Sequence, residues 1–178
     1  MPRWIGFLRA VNVGARKLPS AQLREVCAGL GLVEIRTHLQ SGNVSFDAPT
    51  GETGEALARR LSAALEQAAG FDVPAMVRDV AQLRATLDTA PFAEVEVTEE
   101  TRLLVLLLDA PLPAEPPLPF VGPKDDVRVI SATPGEAFAV ALHGKHVPNT
   151  SAIVERAFGV RVTGRFEHTL HRILDAAR

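Results

Sequence analysis

A chain of 178 residues is one large domain or two small ones, and folding at this mass buries roughly 70% of the unfolded surface, enough for a real core. With 47% hydrophobic and 22% charged residues, a net charge of −2 and a pI near 6.2, the composition is that of an ordinary globular protein. It lacks the basic excess of a general nucleic-acid binder.

The lone cysteine, Cys27, excludes an intramolecular disulfide and a thiolate metal cage, and gives no sign of export. The longest apolar run, "LLVLLLDAPL", reaches only to Asp109, far short of the roughly 20 residues that span a bilayer. The opening "MPRWIGFLRAV" brackets a very short apolar core with charges and is not a signal peptide. The expectation is a soluble, cytoplasmic protein without membrane contact.

Residues 3–11 read as a strand that is apolar on both faces apart from Arg9, and such strands sit in the middle of a sheet. "NVGARKLPS" follows as a turn carrying Asn12, Gly14, Arg16 and Lys17. A helix is expected over 20–30, capped by Ser20, with Leu23, Val26, Cys27 and Leu30 on one stripe and Gly31 closing it. "VEIRTHL" reads as a strand with Val33, Ile35, Thr37 and Leu39 on one face. "QSGN" is a tight turn. "NVSFDA" is the next strand, with Val44 and Phe46 inward and Asn43, Ser45 and Asp47 on the other face.

The longest helical pattern covers 52–69, with Leu57, Leu61, Ala64, Leu65 and Ala68 on one side and Gly70 at its end. "VPAMVR" is a fourth strand. The order β-α-β-β-α-β is the split arrangement of ferredoxin-like domains. The fold class is therefore α+β: a ferredoxin-like lobe over 1–79, packed with a second, smaller α+β lobe over 80–178.

In the second lobe, Asp79 is expected to cap a short helix reaching about 88, and 102–109 to form an apolar strand. The connection over 110–123 holds six prolines, which forbid regular structure there. Strands near 126–131 and 136–142 come next. A helix opened by Asn149 or Thr150 ends near Gly159, and a final helix carries Leu170, Ile173 and Leu174.

The split order sets the functional expectation. Strands one and two run parallel, because a helix joins them, so both end at one edge of the sheet. The third strand starts at that edge. Arg9, Asn12, Gly14, Gln40, Ser41, Gly42 and Asn43 should therefore gather there, beside the N-terminus of the first helix. Its free N–H groups and dipole favour an anion. Arg9, Arg16 and Lys17 add charge, and the two glycines admit a close backbone. The competing reading is a structural turn, since Asn and Gly suit turns for backbone reasons alone. The spacing matches neither the P-loop nor the dinucleotide fingerprint.

"FLRAVNVGARKLPSAQLREVCAGLG" followed by "IRTHLQSGNVSFDA" resembles the bacterial family known as domain of unknown function 1697. Its pattern runs close to Leu-Arg-Gly-Ile-Asn-Val-Gly and then Thr-Tyr-x-Gln-Ser-Gly-Asn-Val-x-Phe. "VPAMVRDVAQL" resembles its next segment. The resemblance implies a two-lobed α+β fold and marks Arg9, Asn12, Gly14, Gln40, Ser41, Gly42 and Asn43. It implies no activity. Where such proteins tend to read Arg-Asn-Trp-Asn-Thr, this chain reads "RFEHT", so only Arg165 and Thr169 match and Phe166, Glu167 and His168 depart.

Other constellations carry less. His143 with His146 and His168 with His171 form two H-x-x-H pairs, a spacing that shares a helix face and suits zinc or nickel. However, "HGKH" reads as a loop and no acidic second shell is apparent. No metal and no cofactor is expected. Cys27 lies on an apolar stripe and reads as a structural thiol. Asp125 and Asp126 read as a turn before a strand. Base stacking on the sheet, as in RNA-binding relatives of this fold, would need aromatics on strands one and three. Only Trp4, Phe7 and Phe46 are available, so nucleic acid is not an expected partner. The same face is expected to be covered by the second lobe instead.

The leading expectation is a module binding a small anionic ligand. The alternatives are an enzyme acting on a phosphorylated or carboxylated metabolite at the same cleft, and an interaction or oligomerisation protein. Ligand, reaction and oligomeric state are not legible.

Overall fold

The computed structural model describes residues 1–39, 42–142 and 148–178. They divide into two compact units, 1–86 with 172–178, and 87–171.

The first unit contains β1 (Arg3–Leu8), α1 (Ser20–Gly29), β2 (Val33–His38), β3 (Asn43–Asp47), α2 (Gly54–Ala69) and β4 (Ala75–Asp79). Its four strands are ordered β2-β3-β1-β4, with every neighbouring pair antiparallel. This is the ferredoxin-like sheet. β1 is central and buried on both faces, as an apolar strand must be. Trp4, Leu8, Val44 and Phe46 join Leu23, Cys27, Leu57, Leu61 and Leu65 in the core beneath α1 and α2. Ile5 and Phe7 are equally buried on the opposite face.

Three local expectations are corrected. Ser20 does not cap α1: the N-cap is Pro19, whose ring has no acceptor, and no side chain replaces it. Val33 does not share a face with Ile35 and Thr37. The pairing shifts between Val33 and Arg36, and Glu34 takes a left-handed φ of 50°. One extra residue in a strand flips whatever precedes it to the other face, which leaves Val33 exposed. In α2 the cap is Thr53, accepting from the Ala56 N–H, and Ala68 is exposed.

α3 (Val80–Asp88) follows β4 directly, with Asp79 accepting from the Gln82 N–H at 2.9 Å. The second unit then holds β5 (Thr101–Leu108), β6 (Phe120–Val121), β7 (Val127–Ala132), β8 (Glu136–Leu142), α4 (Thr150–Phe158) and β9 (Val162–Phe166). These strands form one antiparallel sheet, β6-β7-β8-β5-β9. Leu106, Leu108, Val129, Ala137 and Ala139 pack on Val154 and Phe158 of α4. Asn149 caps that helix and Gly159 ends it. Two features depart from the sequence reading. The proline-rich connection contributes a two-residue strand, because Phe120 and Val121 find β7 as a partner. β9, which leads straight into α5 (Glu167–Ala176), was not expected at all.

The last turns of α5 belong to the first unit. They lie against the face of its sheet opposite α1 and α2. One side chain ties them there. Arg3 Nε donates to Ala177 O at 2.9 Å, Nη1 donates to Glu34 O at 2.8 Å and Asp47 Oδ1 at 3.0 Å, and Nη2 donates to Ser45 Oγ at 2.9 Å. Arg84 of α3 adds a bond to Leu174 O.

Arg3→Met should therefore lower stability by about 1.5–3 kcal/mol, the cost of leaving charge-assisted partners unmet. Arg59→Ala removes only the exposed i, i+4 pair with Glu55 and should cost less than about 0.5 kcal/mol. Urea midpoints of the two variants test the contrast.

Candidate functional site

The edge where β1 ends and β3 begins is assembled from backbone bonds. Leu8 N donates to Gly42 O at 2.8 Å, and Arg9 N donates to Pro74 O at 2.9 Å. The register sets Asn43 opposite Phe7. Arg9, Asn12, Gly14, Gly42 and Asn43 thus lie at one end of the sheet. Gln40 and Ser41 fall outside the described residues.

Residues 9–18 cross this edge as a pinned loop. Val11 and Leu18 are buried in the core and hold its two ends. Asn12 Oδ1 accepts from the Leu18 N–H at 3.1 Å. Val13 and Arg16 close a tight turn around Gly14. Ala10, Asn12 and Gly14 all have left-handed φ, at 56°, 57° and 56°, whereas Val11 and Val13 do not. The loop delivers the chain to α1, whose first turn has no acidic residue and no side-chain cap. Arg16 and Lys17 are exposed there, with the Arg16 guanidinium 5.7 Å from the centre of the Phe71 ring.

The two asparagines serve their own turns. Asn12 closes the loop as described. Asn43 is 1% exposed and donates from Nδ2 to His38 O at 3.1 Å, fastening the end of β2 to the start of β3. Gly42 has a φ of +67°, and a Cβ there would lie 2.4 Å from Val11 Cγ2. Gly14 has open space around it.

On the other face of the same strands sits a cluster that sequence reading missed. His38 is 8% exposed, and its Nε2 lies 2.7 Å from Ser45 Oγ. Arg3 Nη2 meets the same oxygen. A guanidinium can only donate. Ser45 Oγ accepts from Arg3, and the same hydroxyl can donate to His38 Nε2 or accept from it, according to the ring's tautomer. The available signal was strand parity: Arg3, Ser45, Asp47 and His38 alternate onto one face once the strands are paired.

Burial, and then the charges of Arg3 and Arg36, lower the His38 pKa from its ordinary 6.5. Asp47 is already held by Arg3, and Arg172 and Asp175 of α5 border the same region. Cys27 is fully buried, which pushes its thiol up to about 12, so it carries no thiolate chemistry.

In the second unit, Arg165 of "RFEHT" is half-buried, and the desolvation of its guanidinium brings its pKa down to about 10. It donates to Thr163 Oγ1 and Gly164 O. His168 stacks on Phe166 with ring centres 5.7 Å apart, and His171 lies 3.8 Å from Glu167. His143 and His146 fall outside the described residues. Among the described residues no three His, Cys, Asp or Glu side chains converge as a metal site would require. None of the helices described is long and apolar enough to cross a membrane.

The split β-α-β-β-α-β sheet with its pinned loop and the marked Arg, Asn and Gly positions place the chain in a known class. Residues 1–138 match the family described as "Protein of unknown function (DUF1697)", and the chain belongs to that family. Among solved structures it is similar to the conserved bacterial protein SP0830 from Streptococcus pneumoniae. The identity is 17%, the match covers 99% of each chain, and the TM-score is 0.69, so the likeness is one of fold. No curated protein matches the chain.

Two outcomes test this geometry. Gly42→Ala should destabilise by about 2 kcal/mol or more, since it adds a steric clash to left-handed strain. Gly14→Ala should cost only about 1 kcal/mol, the strain alone. Thermal unfolding of the pair decides.

The second outcome concerns pH. With its folded pKa lowered, His38 contributes stability that is fully present above about pH 6.5 and is lost as pH falls through the folded value. Urea midpoints should fall between about pH 7 and pH 5 in the native protein, and less steeply in His38→Gln. Equal slopes would assign the proton uptake to another group.

Proposed function

We propose that the protein is a small-ligand binding module whose site is the 9–18 loop at the edge of the N-terminal sheet, receptive to an anion of phosphate or carboxylate type. One observation carries the reading. Left-handed residues alternate at 10, 12 and 14, two of them not glycine, directly before a helix N-terminus that no side chain caps. Alternation of hand turns successive N–H groups toward a common side, the backbone pattern of an anion nest. Non-glycine residues held at positive φ are the kind of strain that accumulates where a ligand is held.

Charge supports it. The first unit carries twelve Arg and Lys against nine Asp and Glu, a net +3, whereas the second carries seven against twelve, a net −5. Arg9 ends β1 at this edge, and Arg16 and Lys17 flank the helix start. Binding is favoured over catalysis because His38, the histidine nearest in sequence, is committed to Ser45 on the opposite face.

Thermal-shift screening against phosphorylated and carboxylated metabolites tests the reading. A ligand at about 100 times its dissociation constant should add roughly 2.7 kcal/mol. The double variant Arg16→Gln, Lys17→Gln should reduce that gain while its unliganded melting temperature stays within a degree or two of the native one. A screen in which no anion stabilises the protein, or in which the double variant responds in full, would contradict the proposal.

A further inference from the structure

We infer that the second unit carries a site for a short aliphatic diamine, in the cavity between residues 91–96 and the face of β7 and β8 turned away from α4, where Asp126 keeps a carboxylate oxygen without a donor. The inference is independent of the loop site, which belongs to the first unit.

The cavity follows from strand parity. Ala137 and Ala139 of β8 pack on α4, so Phe138, Val140 and Leu142 take the opposite face. Phe92 sets its ring edge-on against Phe138, with centres 5.7 Å apart, and so holds its segment over that face. Beyond this anchor the cover is incomplete. Residues 91–96 and the strands enclose about 420 Å3, with Val95, Ile130, Val140 and Leu142 as an apolar wall, and Leu142 is 47% exposed. That volume suits a small organic molecule.

The polar lining is acidic. Glu94, Glu96, Asp125 and Asp126 border the cavity, with Arg128 beside them. Arg128 is held by Asp125 at 3.5 Å. Among the described residues Glu94, Glu96 and Asp126 have no ion-pair partner. Asp126 adds an independent observation. It is half-buried, its Oδ1 is closed to solvent, and no described residue donates to that oxygen. A buried acceptor left unmet is costly, more so on a charged group. A carboxylate shares its charge between both oxygens, so a cation held in the cavity compensates what solvent and protein leave unmet.

The arrangement selects the kind of cation. No three His, Cys, Asp or Glu side chains among the described residues converge on a point, so a compact metal ion lacks its ligand set there. The carboxylates are spread around an apolar hollow instead, which suits positive charges separated by methylene groups. With Glu94, Glu96 and Asp126 all unpaired, two ammonium groups are matched better than one. The unit supplies a favourable field, with twelve Asp and Glu against seven Arg and Lys.

Tetramethylenediamine is the probe, titrated into the full chain at low ionic strength and followed by amide chemical shifts. The comparisons are n-butylamine as the monocation, n-butanol as the neutral body and magnesium chloride as the compact dication. Saturable binding of the diamine in the millimolar range is expected, with shifts centred on residues 91–96, 125–130 and 140–142. The monoamine should bind about tenfold more weakly, and the alcohol and magnesium more weakly still. Asp126→Asn should weaken the diamine by about tenfold. Glu94→Gln with Glu96→Gln, at exposed positions that leave the fold intact, should do the same. If Asp126→Asn fails to fold, that double variant still decides. Glu99→Gln with Glu100→Gln removes the same charge from exposed positions outside the cavity and should leave the affinity within about twofold. No saturable diamine binding, equal binding of the monoamine or the alcohol, tighter binding of magnesium, an unaltered affinity in Glu94→Gln with Glu96→Gln, or an equal loss in Glu99→Gln with Glu100→Gln would each overturn the inference.

Discussion

The guanidinium of Arg3 is the constraint on which the first unit depends. From the central strand it reaches β2 through Glu34 O, β3 through Asp47 and Ser45, and the end of the chain through Ala177 O. A hydrophobic face needs no such device, and the α1 and α2 side of this sheet has none of comparable reach. The opposite face carries Asn43, Ser45 and Asp47, so covering it with a helix end requires that each buried polar group find a partner. Arg3 supplies most of those partners from a single planar group. With burial, its charge also lowers the pKa of His38, whose Nε2 shares the Ser45 oxygen.

This has a consequence for function. A ferredoxin-like sheet can offer an open face to bases, with aromatics on its central strands. Here Phe7 and Ser45 are fully buried on that face, and Trp4 and Phe46 are in the core on the other. At one edge the chain crosses as a loop with alternating backbone hand. On the other side, the end of β2 meets the last turns of α5. The unit as a whole carries a positive balance of charge.

Much of this was legible in the sequence, for local reasons. The central strand announces itself by being apolar at every position from Trp4 to Leu8, and the helices of the first unit by their leucine spacing and by Gly70. The edge that gathers Arg9, Asn12, Gly14, Gly42 and Asn43 follows from strand directions alone. What the asparagine side chains do there does not, because their partners are the Leu18 N–H and the His38 carbonyl, groups that every residue possesses. The bulge at Glu34 was hidden for a similar reason: nothing in "VEIRTHL" distinguishes a shifted register from a regular one. β9 contains Gly164 and Arg165 and alternates poorly, so it is a strand by virtue of pairing with β5. The return of α5 to the first unit is a non-local event. Its signal was parity, since Arg3, His38 and Ser45 only become neighbours once the strands are in register.

The central claim is that burial and the charge of Arg3 hold the His38 ring neutral beside Ser45. Long-range proton–nitrogen correlation of the His38 ring near pH 7 reads this directly. The account predicts a ring with a single proton and a hydrogen-bonded Nε2. A ring protonated on both nitrogens would contradict it.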